Sequence, residues 1–146
     1  MDADSYVVNV EAAVVRDGEY LLVERAAGEE HAAGLLAFPG GTVERSPDGD
    51  AIAATARREL AEEVGVDAGA VEYVHSRTFE AEDGTRCLNV VTLCSHAGGE
   101  PRAREPAEVA AVHWLAPAEL RADDRAPDYL GADVDRIEAM RGDEVN

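Results

Sequence analysis

Three glutamates with the spacing of metal ligands lie near the middle of the chain, at Glu59, Glu62 and Glu63. Their i, i+3 and i+4 spacing places them on one side of a helix, within about 100° of arc. Like charges at these spacings destabilise a helix by about 0.2–0.5 kcal/mol per pair. A divalent cation would remove this repulsion, and oxygen-only ligands favour Mg²⁺ or Mn²⁺ over Zn²⁺. The spacing is therefore typical of either a metal site or, in a glutamate-rich chain, a solvated helix face.

The residues around the three glutamates favour the metal site. Arg58 to Val66 is R-E-L-A-E-E-V-G-V, and F-P-G-G-T-V-E precedes it at Phe38 to Glu44. This string resembles the Nudix box, G-x5-E-x7-R-E-U-x-E-E-x-G-U with U a bulky aliphatic residue, and the second half matches at every specified position. In the first half Asp50 stands where the pattern has Glu, and eight residues rather than five separate Gly41 from it. The loop Ser46–Gly49 thus contains a three-residue insertion relative to the family.

The resemblance implies a hydrolase that cleaves a diphosphate linkage in a nucleoside diphosphate joined to another group. It implies Mg²⁺ as the cofactor, with Mn²⁺ as an alternative, and a small-molecule nucleotide as the substrate. The metal ligands that it implies are Glu59, Glu62, Glu63 and Gly41. Metals held there would neutralise the diphosphate and activate water, which carboxylates alone cannot do.

Catalytic roles also follow from the resemblance, for Glu59, Arg58 and Glu62. Arg58 is expected to orient a glutamate. The general base differs among family members, which use either a glutamate of the box or one on a later loop. Glu59 is the first choice here, and Glu105 and Glu108 are the later-loop alternatives.

A second function from a different class stays open, namely a Nudix-fold module that binds or senses a nucleotide without cleaving it. The intact glutamates favour the enzyme, because a non-catalytic module is expected to lose some of them. Asp50 and the expanded loop are the features that favour the module.

The charge of the chain disfavours polyanions as binding partners. There are 31 acidic residues against 13 basic ones, a formal net charge of −18, and every basic residue is Arg. Such a surface should repel nucleic acid and anionic membranes, which require a basic footprint. The carboxylate excess without lysine resembles proteins of salt-adapted organisms, in which concentrated salt screens self-repulsion. A homodimer is compatible with the sequence.

The two cysteines and the first residues indicate the cytoplasm. Cys87 and Cys94 fall in one predicted strand, about 23 Å apart at about 3.3 Å per residue, which is too far for a disulfide. Buried free thiols are typical of a reducing compartment. The start M-D-A-D-S-Y contains neither a basic segment nor an apolar leader.

The apolar pattern predicts a single domain, 1–146, of the α/β (α+β) class: a Nudix-like α/β/α sandwich with a mixed β-sheet between helices. Asp17-Gly18 and Asp83-Gly84 are predicted hairpin turns, Asp50 a helix N-cap, and Gly65 a left-handed helix end. The predicted elements are strands at Tyr6–Val15, Tyr20–Glu24, Val71–Phe79, Arg86–Ser95 and Val109–Leu115, a central helix at Ala51–Val64, a helical turn at Pro117–Arg121 and a final helix starting at Pro127.

Aromatic and histidine residues are expected to be structural. Sheet packing is the more common role of aromatic side chains in strands, although stacking on a nucleobase is the alternative. The residues concerned are Tyr6, Tyr20, Phe38 and Phe79, with Trp114 expected in the core. The histidines are scattered without metal-ligand spacing, at positions His31, His75, His96 and His113.

Overall fold

A β-hairpin begins the sheet, as the Asp17-Gly18 pair predicted. Strands β1 (Val7–Arg16) and β2 (Glu19–Arg25) pair antiparallel. Asp17 and Gly18 have φ values of 53° and 79°, the left-handed backbone that the tightest hairpin turns require. The structure is a computed structural model that describes residues 5–28 and 32–145, the last three of them by backbone only, so His31 lies outside the described residues.

One mixed sheet contains all the strands of the described residues. The remaining strands are β3 (Leu36–Ala37), β4 (Gly40–Thr42), β5 (Asp67–Glu80), β6 (Arg86–Gly98) and β7 (Val109–Leu115). Their order is β3-β2-β1-β6-β5, with β4 paired to β1 and β7 to β2. β1 and β6 run parallel, while the other pairs are antiparallel. β5 and β6 extend beyond their predicted bounds because their hairpin continues through several register shifts.

Helices cover both faces of this sheet. One core packs the central helical segment, α1 (Ala51–Glu59), against residues of β1 such as Val10, Ala12 and Val14. The other packs α2 (Pro117–Ala122) and α3 (Asp128–Val145) against Ala13 and Val91. The predicted α/β/α sandwich with a mixed sheet is confirmed. Within the described residues, no helix is long and apolar enough to cross a membrane.

The central helix begins at Ala51 as predicted, but its N-cap and its C-terminal end differ from the prediction. It was predicted as one α-helix over Ala51–Val64, but α1 ends at Glu59 and a π-helical turn follows at Leu60–Val64. The wider turn buries Leu60, Glu63 and Val64 together. Asp50 precedes α1 but makes no capping hydrogen bond through its side chain, because its backbone is left-handed (φ 47°) rather than extended. Gly65 ends the turn at φ 72°, as predicted.

Several smaller predictions can be compared with the structure. Tyr20 and Phe38 are in the core, but Tyr6 and Phe79 are 47% and 44% exposed, so sheet packing was the wrong expectation for those two. Trp114 is only partly buried, with the Arg16 guanidinium 4.2 Å from its ring centre.

The last helix begins one residue after Pro127, and its predicted apolar stripe is buried. The stripe consists of Leu130, Val134 and Ile137. Both cysteines are free and buried.

Candidate active site

The short strand β4 is the part of the sheet that contacts the glutamates of the central helical segment. It pairs with β1 through Gly40↔Glu11, Gly41↔Val10 and Thr42↔Asn9. The two strands approach so closely that a Cβ on Gly40 would lie 2.2 Å from the backbone oxygen of Val10. Such a distance excludes any side chain, so the glycine is required for the pairing itself.

Glu59 lies against the second glycine of this strand. A Cβ on Gly41 would be 2.5 Å from both Cδ and Oε1 of Glu59, so the space that a side chain would take is occupied by the carboxylate. Arg58 donates hydrogen bonds to Oε1 of Glu59 at 3.1 Å and to the backbone oxygen of Thr42 at 2.9 Å. Burial raises the pKa of Glu59, although the Arg58 guanidinium lowers it. Arg58 thereby links the Glu59 carboxylate to β4, because it donates hydrogen bonds to both.

Glu63 lies against the first glycine. Glu63 as a residue is only 8% exposed, and its Oε2 accepts a hydrogen bond from the backbone N–H of Gly40 at 2.9 Å. The pKa of Glu63 is raised to about 8, chiefly by burial and also by the nearby Glu59, Glu105 and Glu108 carboxylates, against the lowering effect of the Gly40 N–H. A buried carboxylate among other carboxylates is an environment that favours a bound cation.

Glu62 is exposed, and its charge contributes to raising the pKa of Glu59. It lines an open hollow of about 560 Å³ together with residues of the loop between β6 and β7. The other lining residues are Ala61, Arg104, Glu105, Pro106 and Ala107. The structure therefore places Glu59 and Glu63 at β4, with Glu62 beside the later loop.

The loop between β6 and β7, which we call the later loop, is hydrogen-bonded to the π-helical turn. The backbone N–H groups of Arg102 and Arg104 donate to the oxygens of Val64 and Glu63 at 3.0 and 2.9 Å, and the Arg104 guanidinium donates to Ala61 O at 2.8 Å. These carbonyls are available because a helix end leaves its last C=O groups without partners. The anchoring brings Glu105 and Glu108 into the electrostatic environment of Glu63.

The donor chemistry of this site fits a hard divalent cation. All its charged donors are carboxylate oxygens, and burial raises the pKa of two of them, which is the condition that Mg²⁺ or Mn²⁺ relieves. In the part of the chain that the structure describes, no three His, Cys, Asp or Glu side chains form a ready-made cage. An ion held by few carboxylates completes its coordination with water and substrate oxygens.

The sequence did not predict three parts of this arrangement. These are the π-helical turn, the hydrogen bond from Gly40 to Glu63, and the attachment of the later loop through Arg102 and Arg104. Only the paired glycines gave a signal, since adjacent glycines mark close backbone approach. The histidines that the structure describes lie apart from the cluster: His75 contacts Asp133, His96 contacts Gly99 O, and His113 lies 3.5 Å from Glu24.

Comparison with known proteins gives consistent matches. The sequence matches the family model of the NUDIX domain over residues 6–132. The MutT NUDIX hydrolase from Burkholderia pseudomallei is 26% identical with a TM-score of 0.79, and the alignment covers 92% of this chain and 99% of that chain. The ORF135 protein of E. coli is 31% identical with a TM-score of 0.70, covering 94% and 91%. The NUDIX domain of Shewanella oneidensis NrtR, solved with ADP ribose, shares the fold at 21% identity and a TM-score of 0.74, covering 94% and 90%. No curated protein matched the sequence.

Proposed function

Because the chain belongs to the Nudix domain family, we propose that it hydrolyses the diphosphate linkage of a nucleoside diphosphate joined to another group, with Mg²⁺ or Mn²⁺ as cofactor. The observation that carries this proposal is the placement of the Glu59 and Glu63 carboxylates against the two glycines of β4. Both carboxylates are fixed by groups of the protein and both have raised pKa values. A structural charge cluster would not need such positioning.

The proposed metal ligands are Glu59, Glu62 and Glu63, with Gly41 contributing from β4. A divalent cation bound there would neutralise the diphosphate and lower the pKa of the attacking water. Gly40 and Arg58 hold the Glu63 and Glu59 carboxylates in place, so that little reorganisation is needed during the reaction.

Proton removal from the attacking water is the other task of the protein. Glu59 is our first choice as general base, since burial raises its pKa and thus its basicity. Glu105 and Glu108 are the alternatives, because their loop is fastened beside the π-helical turn. Glutamine at each of the three positions distinguishes them: loss of the base should remove the acidic limb of the pH–rate profile.

The function is tested by a hydrolysis panel of nucleoside triphosphates, nucleotide sugars and dinucleotides, run with Mg²⁺ or Mn²⁺ in molar KCl. We expect turnover of at least one class, and we expect Glu62→Gln to reduce it by about 100-fold, because a metal ligand supplies several kcal/mol of charge stabilisation. Glu72→Gln is the control, since Glu72 is an exposed carboxylate on β5. The absence of turnover of all three classes of substrate, or equal turnover by Glu62→Gln and Glu72→Gln, would refute the proposal. Nucleotide binding without turnover would support the binding module instead.

We also propose that the acidic surface is an adaptation to concentrated salt, and that the protein acts in the cytoplasm, as a monomer or a homodimer. The charge of −18 must repel itself in dilute buffer. Since the Debye length falls from about 10 Å at 0.1 M to about 3 Å at 1 M, the melting temperature should rise between 0.1 and 1 M KCl. A thermal melt at the two salt concentrations measures this, and an unchanged or lower midpoint at 1 M would contradict it.

A further inference from the structure

The open hollow beside Glu62 contains an arginine between two glutamates. Its volume of about 560 Å³ is in the range of small-molecule sites, and its charged lining residues are Glu62, Arg104 and Glu105. Glu62 connects the hollow with the carboxylate cluster, because its charge contributes to raising the pKa of Glu59. A group attached to a diphosphate at the cluster is therefore adjacent to the hollow.

The side chain of Arg104 is held in place along its length. Its Cδ lies 3.1 Å from the position that a Cβ on Gly65 would take, so the glycine leaves the space through which the side chain passes. Beyond this point the guanidinium donates a hydrogen bond to the backbone oxygen of Ala61 at 2.8 Å. A side chain that is already positioned loses less conformational entropy when it binds a ligand.

Arg104 forms no ion pair with a carboxylate in the part of the chain that the structure describes. Other arginines do form such pairs, among them Arg16, Arg77 and Arg125. The chain has 31 acidic residues against 13 arginines, so an arginine between two glutamates is expected to pair with one of them. A guanidinium has five N–H donors, and the bond to Ala61 leaves others available for a ligand.

A second arginine adds positive charge at the same place. The Nε of Arg102 lies 4.0 Å from the Cβ position of Gly65, so the side chains of Arg102 and Arg104 lie next to each other. Arg102 likewise makes no ion pair within the described residues. The negative end of the helical segment attracts cations, which accounts for their location. It does not account for two neighbouring guanidiniums that repel each other without an anion between them.

A phosphate is the anion that suits these donors. Guanidinium groups bind phosphate oxygens through two parallel N–H bonds, whereas a neutral sugar offers them no charged acceptor. The two glutamates of the hollow disfavour a free anion. The phosphate is therefore expected to bind there as part of a larger molecule whose diphosphate is held at the cluster.

Resting on the function proposed above, we propose that Arg104, with Arg102 beside it, binds the phosphate that follows the diphosphate in a nucleoside triphosphate. These two residues then determine specificity, because they favour a triphosphate over a nucleotide whose diphosphate is joined to a neutral sugar. Both lie outside the motif at Arg58–Val66.

Two analogues that cannot be cleaved at the diphosphate test this preference. They are α,β-methylene-ADP and α,β-methylene-ATP, which share the base and the α,β-linkage and differ by one phosphate. Isothermal titration calorimetry on the full chain, with Mg²⁺ in molar KCl, measures the two dissociation constants. We expect the triphosphate analogue to bind about tenfold more tightly, because charge-assisted hydrogen bonds to the added phosphate are formed only by this analogue.

Variants assign the preference to Arg104. Arg104→Gln should remove most of it, and Arg104→Lys should keep part, since lysine retains the charge but not the two parallel donors. Arg136→Gln is the matched control, because Arg136 is an exposed arginine of α3 and its loss changes the net charge equally. The ratio of the two dissociation constants is the readout. A displaced later loop would weaken both analogues alike and leave this ratio unchanged.

The proposal is overturned if the triphosphate analogue binds no more tightly than the diphosphate analogue, including the case in which neither binds. It is also overturned if Arg104→Gln keeps the ratio of the Arg136→Gln control. These outcomes are separate from failure of the proposed hydrolysis, because carbon replaces the bridging oxygen and no turnover is needed. The expected preference in a protein that hydrolyses none of the panel would support the role of Arg104 and remove only the enzymatic function.

Discussion

Replacing Glu63 with glutamine should abolish hydrolysis and, at the same time, stabilise the metal-free protein. The Glu63 carboxylate is buried among other carboxylates, which raises its pKa to about 8 from 4.5. Glutamine keeps an acceptor for the Gly40 N–H but has no charge to bury. Turnover should fall by about 100-fold or more, because a metal ligand is lost. A side chain with a purely structural role would not show this opposite effect on activity and stability.

The sign of the pH dependence makes the stability effect testable. Folding raises the pKa of the Glu63 carboxyl from 4.5 to about 8. The free energy of unfolding of the wild type is therefore highest below pH 4.5, where this group is protonated in both states, and it falls as the pH rises towards 8. The excess stability of Glu63→Gln over the wild type should therefore be small at pH 5 and largest at pH 8, on the order of 2–4 kcal/mol. Chemical denaturation in EDTA at the two pH values measures it. Glu72→Gln, on the exposed face of β5, should change neither quantity. A variant less stable than the wild type at pH 8 would contradict the interpretation.

Replacing Gly41 with alanine should remove activity through a single added methyl group. The Cβ would lie 2.5 Å from the Glu59 carboxylate, which must then leave its position on β4 and its hydrogen bond with Arg58. The backbone of Gly41 is not left-handed, so alanine is not strained by its own conformation. Because a displacement of about 1 Å can cost about 100-fold in rate, kcat/KM should fall by about that factor.

Two other glycines provide the controls for Gly41→Ala. Nothing lies within 4 Å of a Cβ on Gly131 in α3, so Gly131→Ala should retain both activity and stability. Gly40→Ala would place its Cβ 2.2 Å from the Val10 oxygen and should destabilise the pairing of β4 with β1. Thermal melts and hydrolysis assays on the three variants separate loss of activity from loss of folding. Equal activity of the Gly41 and Gly131 variants would show that Glu59 needs no fixed position.

Sequence patterns with local causes were the most successful predictors of this fold. The Asp17-Gly18 turn and the Gly65 helix end follow from backbone conformations that few residues adopt easily, and both are present. The apolar stripe of α3 follows from helical periodicity, and the structure buries it. The mixed sheet was predicted from the apolar pattern and the order of the strands and helices, whereas the family was predicted from the motif.

Features that depend on distant parts of the chain were not predictable in the same way. The π-helical turn depends on burying Leu60, Glu63 and Val64 against the sheet rather than on local propensity. Helical spacing alone placed the three glutamates on one side, but it could not show that Glu63 contacts β4 while Glu62 lines the hollow beside the loop between β6 and β7. The exposure of Phe79 likewise follows from α3 not extending over that end of the sheet, which no pattern within β5 reveals.

The two glycines of β4 have an evolutionary consequence. A Cβ at Gly40 would meet the backbone oxygen of Val10, and a Cβ at Gly41 would meet the Glu59 carboxylate. A single substitution at either position therefore disturbs a neighbour, whereas Gly131, with open space around it, is free to change. Sequence drift in β4 is thus expected to require a compensating change elsewhere in the chain.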